Sequence, residues 1–317
     1  MTARNPTVDN SMLERAAALI RAGGLVAFPT ETVYGLGANA LDAKAVERIY
    51  EAKGRPHGSP LIVHVASIEM ARSLVSRWPE QADRLARAYW PGPLTLVLPK
   101  QPSIPDVVTA GLNTVGIRMP AHSVALALLE KAGVPIAAPS ANRFTELSPT
   151  RAEHVEKTLG DAADMILDGG PTSVGIESTV LSLAGERPVL LRAGMVSQAE
   201  IEALIGPVAT AGAVDDAAAH SSPGMHKRHY SPRTRLILVE NGALPALGRG
   251  AYLWIGHNAA AAKRVAMPGD AAGYAAVLYD TLHRLDAEHW DWIAVEKPPA
   301  DPEWAAVTDR LRRAAER

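Results

Sequence analysis

A short basic segment, Ser222-Pro-Gly-Met-His-Lys-Arg-His-Tyr-Ser-Pro232, separates two stretches of this 317-residue chain that can each fold alone. It is bounded by prolines, and no acidic residue occurs from Ser221 through Arg235. Immediately upstream, Ala209 to Ser222 shifts to Ala, Gly, Asp and Ser, the composition of a boundary. The expected organisation is a first domain over residues 1–208, a linker over 209–232 and a small domain over 233–317, within reach of a chain this long. A basic linker is usually a solvated connector or a nonspecific nucleic-acid arm. Gly, Met and Tyr among the charges suit instead a loop that folds onto an anionic ligand.

The first stretch mixes strands and helices without strict alternation. Ser11 to Arg21 has helical spacing, with Leu13, Ala16, Ala17 and Ile20 on one face and Gly23-Gly24 as its stop. Asp42 is placed to cap a second helix through Ala52. Further helices are expected at Ile68–Val75, Glu80–Ala88, Ser123–Ala132, Arg151–Leu159 and Ser197–Ile205. Strands are expected at Leu25–Phe28, Leu61–Val65, Leu94–Leu98, Val115–Arg118, Pro135–Ala138, Met165–Leu167 and Thr179–Leu183. This pattern predicts an α/β domain with a mixed sheet. Beyond Arg233, Leu236–Val239, Tyr252–Ile255 and Trp292–Val295 read as strands, and Tyr274, Val277, Leu278, Leu282 and Leu285 as the inward face of a helix. Glu303 to Arg317 reads as a terminal helix. Strand–helix alternation here predicts a small parallel, Rossmann-like sheet.

Composition excludes several chemistries. With no cysteine there is no disulfide, thiolate zinc site, iron–sulfur cluster or cysteine nucleophile. The net charge of -2 means that any polyanion contact comes from a local patch. The first ten residues lack the apolar stretch of a secretory signal, and no run approaches the roughly 18 apolar residues of a membrane span. A cytoplasmic protein with no membrane or DNA partner is expected.

The candidate chemistry lies at strand ends. There is no P-loop. Gly35-Leu-Gly37-Ala-Asn-Ala40 matches G-x-G-x-x-A, but Pro29 closes the preceding strand and no acidic residue follows at dinucleotide spacing, so the glycines read as a tight turn open to close approach. Pro29-Thr-Glu-Thr-Val-Tyr34 offers two hydroxyls, a carboxylate and a phenol, either as a ligand site or as a capped turn packed by Tyr34. Lys53-Gly-Arg55-Pro combines a point charge with a planar fork, suited to a triphosphate, although basic residues also stabilise a helix C-terminus. His64 fits a core histidine as well as a ligand. Ser140 and Asn142, then Ser148, offer short polar groups that either contact a nucleotide or cap turns. Arg118, ending an apolar strand, needs an anion: a substrate carboxylate or an internal acid. Ser178-Thr179 and Arg192-Ala-Gly194 repeat the pattern. His220, His226 and His229 lack the carboxylate spacing of a metal site. Lys, three Arg and several hydroxyls with no evident base or nucleophile suit phosphoryl or adenylyl chemistry run by positioning and charge neutralisation.

Taken in order, PTETVYGLG, KGRP…SPLIVHV, WPGPLTLVL, VGIRMPAH, APSAN…SPT, GIESTV, LLRAG and SPGMHKRHYSP resemble the two-domain threonylcarbamoyl-AMP synthases, from about Leu13 to Pro232 and more loosely to the C-terminus. The resemblance implies a YrdC-like twisted α/β domain with a deep groove, a linker acting as a lid, and a small Rossmann-like domain. It implies a nucleotidyltransferase that joins L-threonine, bicarbonate (or CO2) and ATP, as its Mg2+ complex, into threonylcarbamoyl-adenylate and pyrophosphate. A separate transferase then serves tRNA. Carried over by motif, Thr32, His64, Arg118, Ala138 and Ser178 would line the threonine pocket. Lys53, Arg55, Ser59, Thr114, Ser140, Asn142, Ser148 and Arg192 would hold ATP, with Tyr230 closing over the nucleotide. Within this set Lys53, Arg55, Ser140 and Asn142 would act at the reacting phosphates; protein ligands to Mg2+ are not identifiable. Ser59 departs from the family's usual Asn and can still donate one hydrogen bond.

Two rivals stand beside this reading. Carbamoyl-adenylate enzymes of hydrogenase maturation join the same fold to cysteine-rich zinc modules, which this chain lacks. A noncatalytic RNA-binding module would use the groove on phosphates, but stacking residues are sparse, with aromatics at 5%.

Overall fold

The computed structural model describes residues 8–211 and 229–316. Ten strands of the first unit form one mixed sheet: β1 (Val26–Pro29), β2 (Tyr34–Asn39), β3 (Ile62–His64), β4 (Leu94–Pro99), β5 (Thr114–Arg118), β6 (Ile136–Ala137), β7 (Met165–Ile166), β8 (Thr179–Ser182), β9 (Val189–Arg192) and β10 (Ala209–Thr210). Their order across the sheet is β10-β9-β8-β4-β5-β3-β6-β2-β1-β7. Parallel β3–β5 and β4–β8 pairs alternate with antiparallel β4–β5, β3–β6 and β8–β9 pairs, as the irregular order of sequence elements requires. The mixed α/β expectation holds.

Helices cover both faces. Asn10–Arg21 packs on Ser123–Ala132, burying Leu13, Ala16, Ala17 and Ile20 as their spacing dictates. Asp42 accepts from the backbone N–H of Lys44 and Ala45 and starts the helix Ala43–Lys53, which Gly54 ends in the left-handed conformation at φ 60°. The opposite core holds this helix with Glu80–Tyr89.

One expectation fails here. Gly35 and Gly37 belong to strand β2 and not to a turn. A Cβ on Gly37 would lie 2.7 Å from both Ile136 Cγ2 and Phe28 Cε1, so what approaches these glycines is the packing of the neighbouring strands. The true turn is Thr30–Val33, closed by the Thr30 hydroxyl donating to Val33 O at 2.7 Å.

The second unit is a four-stranded sheet, parallel throughout, of β11 (Arg235–Val239), β12 (Gly250–Trp254), β13 (Lys263–Ala266) and β14 (Trp292–Glu296), in the order β11-β14-β12-β13. The parallel sheet matches expectation; full strand–helix alternation does not. Among the described residues only the β13–β14 crossover carries a helix before the last strand, Ala271–Asp286, and β13 itself has too little apolar pattern to be seen in sequence. Tyr274, Leu278, Leu282 and Leu285 face inward, whereas Val277 is 38% exposed, because the helix turns it past the edge of the buried stripe. The terminal helix spans Ala305–Ala315, preceded by a 3-10 turn at Pro302–Trp304.

The second core does not stop at its own sheet. Its cluster includes Val33, Leu147, Ile176 and Tyr230, so the small unit packs against the loops at one end of the large sheet. Gly175, at φ 80°, lets the chain pass so close to the helix Ala271–Asp286 that a Cβ would sit 2.3 Å from Ala275 O. Of the expected linker, residues 212–228 lie outside the described part, and with them His220, His226 and most of the basic segment. Its end is described: Ser231 N–H donates to Thr145 O at 2.9 Å, and Ser231 bridges Glu146 in parallel fashion.

Candidate active site

Strand register builds the pocket. His64 and Arg118 are Cα partners at the ends of the parallel strands β3 and β5, so their side chains leave one face side by side. β6 runs antiparallel on the other side of β3 and delivers Ala138, Pro139 and Ser140 to the same edge, with Ala138 N–H bonded to Ile62 O at 2.9 Å. Arg192 ends β9, and Ser178 immediately precedes β8. With Arg55, the 30–33 turn and the segment 229–230, they line one partly open pocket.

Arg118 is 4% exposed, and its Nη2 lies 2.7 Å from Glu31 Oε1 while Nη1 donates to the Thr32 hydroxyl at 2.8 Å. Its Nε donates to Gly92 O at 3.2 Å. The anion the arginine needs is therefore internal in this state, and Glu31 is held in turn by the N–H of Ala121 at 3.0 Å. Beside them, burial and the Arg118 charge push the His64 imidazole down to about 3, so it is neutral at pH 7.

Arg55 and Arg192 face the same space. Arg55 donates from Nε to Ser59 O at 3.2 Å and from Nη2 to Pro60 O at 3.1 Å, its guanidinium 5.7 Å from the centre of the Phe144 ring. Burial pushes it down to about 10, which leaves it charged. Arg192 donates from Nε to Ser178 O at 3.0 Å and from Nη2 to Ser178 Oγ at 3.1 Å, and that hydroxyl also meets Thr95 Oγ1 at 2.8 Å. Glu177 lines the pocket too. Burial alone would raise its carboxyl, but Arg310 and Arg192, with a hydrogen bond from Ser148, hold it below the usual range.

Tyr230 is 1% exposed and stands at φ 61°, a left-handed conformation costing a non-glycine residue about 1–2 kcal/mol. Its ring meets His229 edge-on at 4.1 Å and lies 5.2 Å from the Arg310 guanidinium.

Nine of the sequence-predicted residues converge on this pocket: Thr32, Arg55, His64, Arg118, Ala138, Ser140, Ser178, Arg192 and Tyr230. Five do not line it. Lys53 is buried and donates from Nζ to Ser140 O at 2.6 Å and to Asn142 O, so it braces the loop that carries Ser140. Burial and the nearby Arg55 hold its ammonium well below the ordinary lysine value. Asn142 turns its amide to Arg143 O and Glu146 O, and the Ser148 hydroxyl donates to Glu177 Oε1 at 2.5 Å. Ser59 stands behind Arg55, presenting its carbonyl. Thr114 borders a smaller neighbouring cavity that shares Ile62 with the main one. Sequence reasoning offered the Glu31 carboxylate only as part of a ligand site or capped turn, and gave no role to Glu177 or Arg310. A lone arginine in an amphipathic terminal helix carries no signal of a contact made 133 residues away.

Known proteins share this architecture. A family model described as "Telomere recombination" matches residues 18–194, and one described as "Threonylcarbamoyl-AMP synthase, C-terminal domain" matches residues 196–316. The threonylcarbamoyl-AMP synthase of Bacillus subtilis (strain 168) is 43% identical over 330 residues, covering 98% of this chain and 94% of its own. That of Pyrococcus abyssi is 52% identical over 238 residues, 74% of this chain and 69% of its own. The crystal structure of P. abyssi Sua5 complexed with L-threonine superposes with a TM-score of 0.90 at 40% identity, over 98% of this chain and 95% of that one. With both family models matched in series and the pocket built at their junction, the chain belongs to the threonylcarbamoyl-AMP synthase family.

Proposed function

We propose that this pocket makes threonylcarbamoyl-adenylate from L-threonine, bicarbonate or CO2, and ATP, a nucleotidyl transfer that releases pyrophosphate. The observation that carries the proposal is the convergence of three buried arginines, Arg55, Arg118 and Arg192, beside the neutral His64, with Glu177 the one carboxylate among the described lining residues and Glu31 paired to Arg118. Such a site favours anionic ligands over cations.

The family's chemistry fits that inventory. The threonine amine, once deprotonated, adds to CO2 to give a carbamate, with no protein nucleophile needed. A carbamate oxygen then bonds to the α-phosphorus of ATP, and the bond from that phosphorus to the bridging oxygen of pyrophosphate breaks. Arg118, with Thr32, would receive the threonine carboxylate, while His64, Ala138 and Ser178 would shape the space for its side chain. Arg55 and Arg192, with Ser140 on the loop braced by Lys53 and Asn142, would hold phosphates as charge builds. Mg2+ would enter with ATP as part of the substrate and would supply charge neutralisation at the phosphates. Tyr230 closes one wall, which helps keep water from the labile carbamate. Ser59, Thr114 and Ser148 take roles at one remove, through Arg55, the adjoining cavity and Glu177. The adenylate would then pass to a separate transferase acting on tRNA.

The test is pyrophosphate release from MgATP and bicarbonate, with and without L-threonine. Threonine-dependent release supports the reading. Threonine-independent binding of RNA that falls steeply with salt, without release, would favour the binding-module alternative instead.

A further inference from the structure

We propose that Arg310, in the terminal helix of the small unit, is a positioning residue for the pocket, setting the geometry of Glu177, Arg192 and Tyr230 together. The proposal rests on the synthase reading above.

Arg310 is entirely buried and does not line the pocket, yet it reaches three segments that do. Its Nε donates to Glu177 Oε2 at 2.7 Å. Its Nη2 donates to Ala193 O at 3.1 Å, on the residue next to Arg192. The Tyr230 ring lies 5.2 Å from its Cζ. The remaining nitrogen, Nη1, donates to Asp309 Oδ2 at 2.8 Å. Glu177 is fixed from its other sides by the Ser148 hydroxyl and by Tyr279 OH at 3.2 Å, the latter again from the small unit. The next residue, Ser178, holds Arg192 through two hydrogen bonds.

The guanidinium fork is what this arrangement requires. Its nitrogens diverge in one plane toward a carboxylate, a main-chain carbonyl and an adjacent aspartate, which a lysine ammonium cannot match. A buried ion pair contributes little net stability relative to well-packed apolar residues, so a wholly buried arginine at a domain junction is better explained by the geometry it imposes. Removing it frees the Glu177 carboxylate to turn toward Arg192, which would draw that arginine off the phosphates.

Other contacts join the two units without touching the pocket. Arg151 Nε lies 2.6 Å from Asp280 Oδ1, and the His154 and His283 rings stack at 3.8 Å. They supply the control for docking as such.

The experiment compares full-length wild type, Arg310→Lys, Glu177→Gln and Asp280→Asn by threonine-dependent pyrophosphate release, with melting temperature recorded for each. Arg310→Lys and Glu177→Gln should raise KM for both ATP and threonine about tenfold, with kcat changed much less, as for a residue that organises binding groups without touching the reacting atoms. Asp280→Asn should leave both KM values near wild type even where it lowers the melting temperature. If Arg310→Lys does not fold, Glu177→Gln, which keeps the shape of the side chain, carries the same test. Wild-type KM values in a folded Arg310→Lys or Glu177→Gln variant would overturn the proposal. So would an equal KM rise in Asp280→Asn, which would assign the effect to domain docking. An inactive wild type would instead remove the synthase reading on which the proposal stands.

Discussion

Arg118 and Glu31 meet at 2.7 Å with side chains only 4% and 8% exposed, and Arg118 is the residue proposed above to take the substrate carboxylate. The carboxylate of Glu31 neutralises the arginine in the fold, and the Thr32 hydroxyl completes the same fork. A ligand carboxylate therefore competes with, or joins, an existing ion pair. Arg118→Lys should raise threonine KM by about 10–100-fold, from the roughly 1.5–3 kcal/mol of a hydrogen bond to a charged group, and leave ATP KM near wild type. Glu31→Gln should destabilise the fold by about 3–5 kcal/mol, because it leaves a buried guanidinium without its counter-charge. Substrate titrations and urea unfolding check the two.

Lys53 braces the Ser140–Asn142 loop from behind. Lys53→Met keeps the apolar stem of the side chain as far as Cε but strips the donor from Ser140 O and Asn142 O. The expected outcome is a loss of about 1–3 kcal/mol in unfolding free energy, the penalty for leaving buried acceptors unsatisfied, together with a raised ATP KM. Wild-type stability with unchanged KM would show that the brace carries no weight.

The seat of the small unit is glycine-dependent. Gly175→Ala places a methyl 2.3 Å from Ala275 O and 2.6 Å from Ala276 Cα, at a φ of 80° that L-residues disfavour. The substitution should cost about 1–3 kcal/mol by overpacking. Proteolysis between the two units should become faster than in wild type.

Acid should loosen the molecule through its histidines. His64 and His154 are each pushed down to about 3 by burial, against an ordinary value of 6.5. The unfolded chain therefore takes up these protons first. Stability present at neutral pH is lost as pH falls below about 6.5, by up to about 1.4 kcal/mol per pH unit for each group, until their folded values are reached. His154→Asn, keeping an acceptor for Thr150 N–H, should lose less stability than wild type between pH 7 and pH 5, as read from urea midpoints.

Periodic elements were legible in the sequence because burial alone decides them. The stripe Leu13, Ala16, Ala17, Ile20 and the cap at Asp42 fall where spacing and side-chain chemistry put them. Arg118 was legible as an arginine in need of an anion. The strand through Gly35 and Gly37 was not, since its glycines answer to Phe28 and Ile136, which arrive from other strands. Nor was the division of labour within the site. Whether Lys53 faces a phosphate or a carbonyl depends on the path of the Ser140–Asn142 loop, and the reach of Arg310 to Glu177 depends on how the two units dock.

Labelled bicarbonate, L-threonine and MgATP should yield a compound carrying label, threonine and AMP together, formed one-for-one with pyrophosphate and lost in Arg55→Ala and Arg118→Ala. Pyrophosphate formed without threonine, or a labelled adenylate lacking it, would contradict the account.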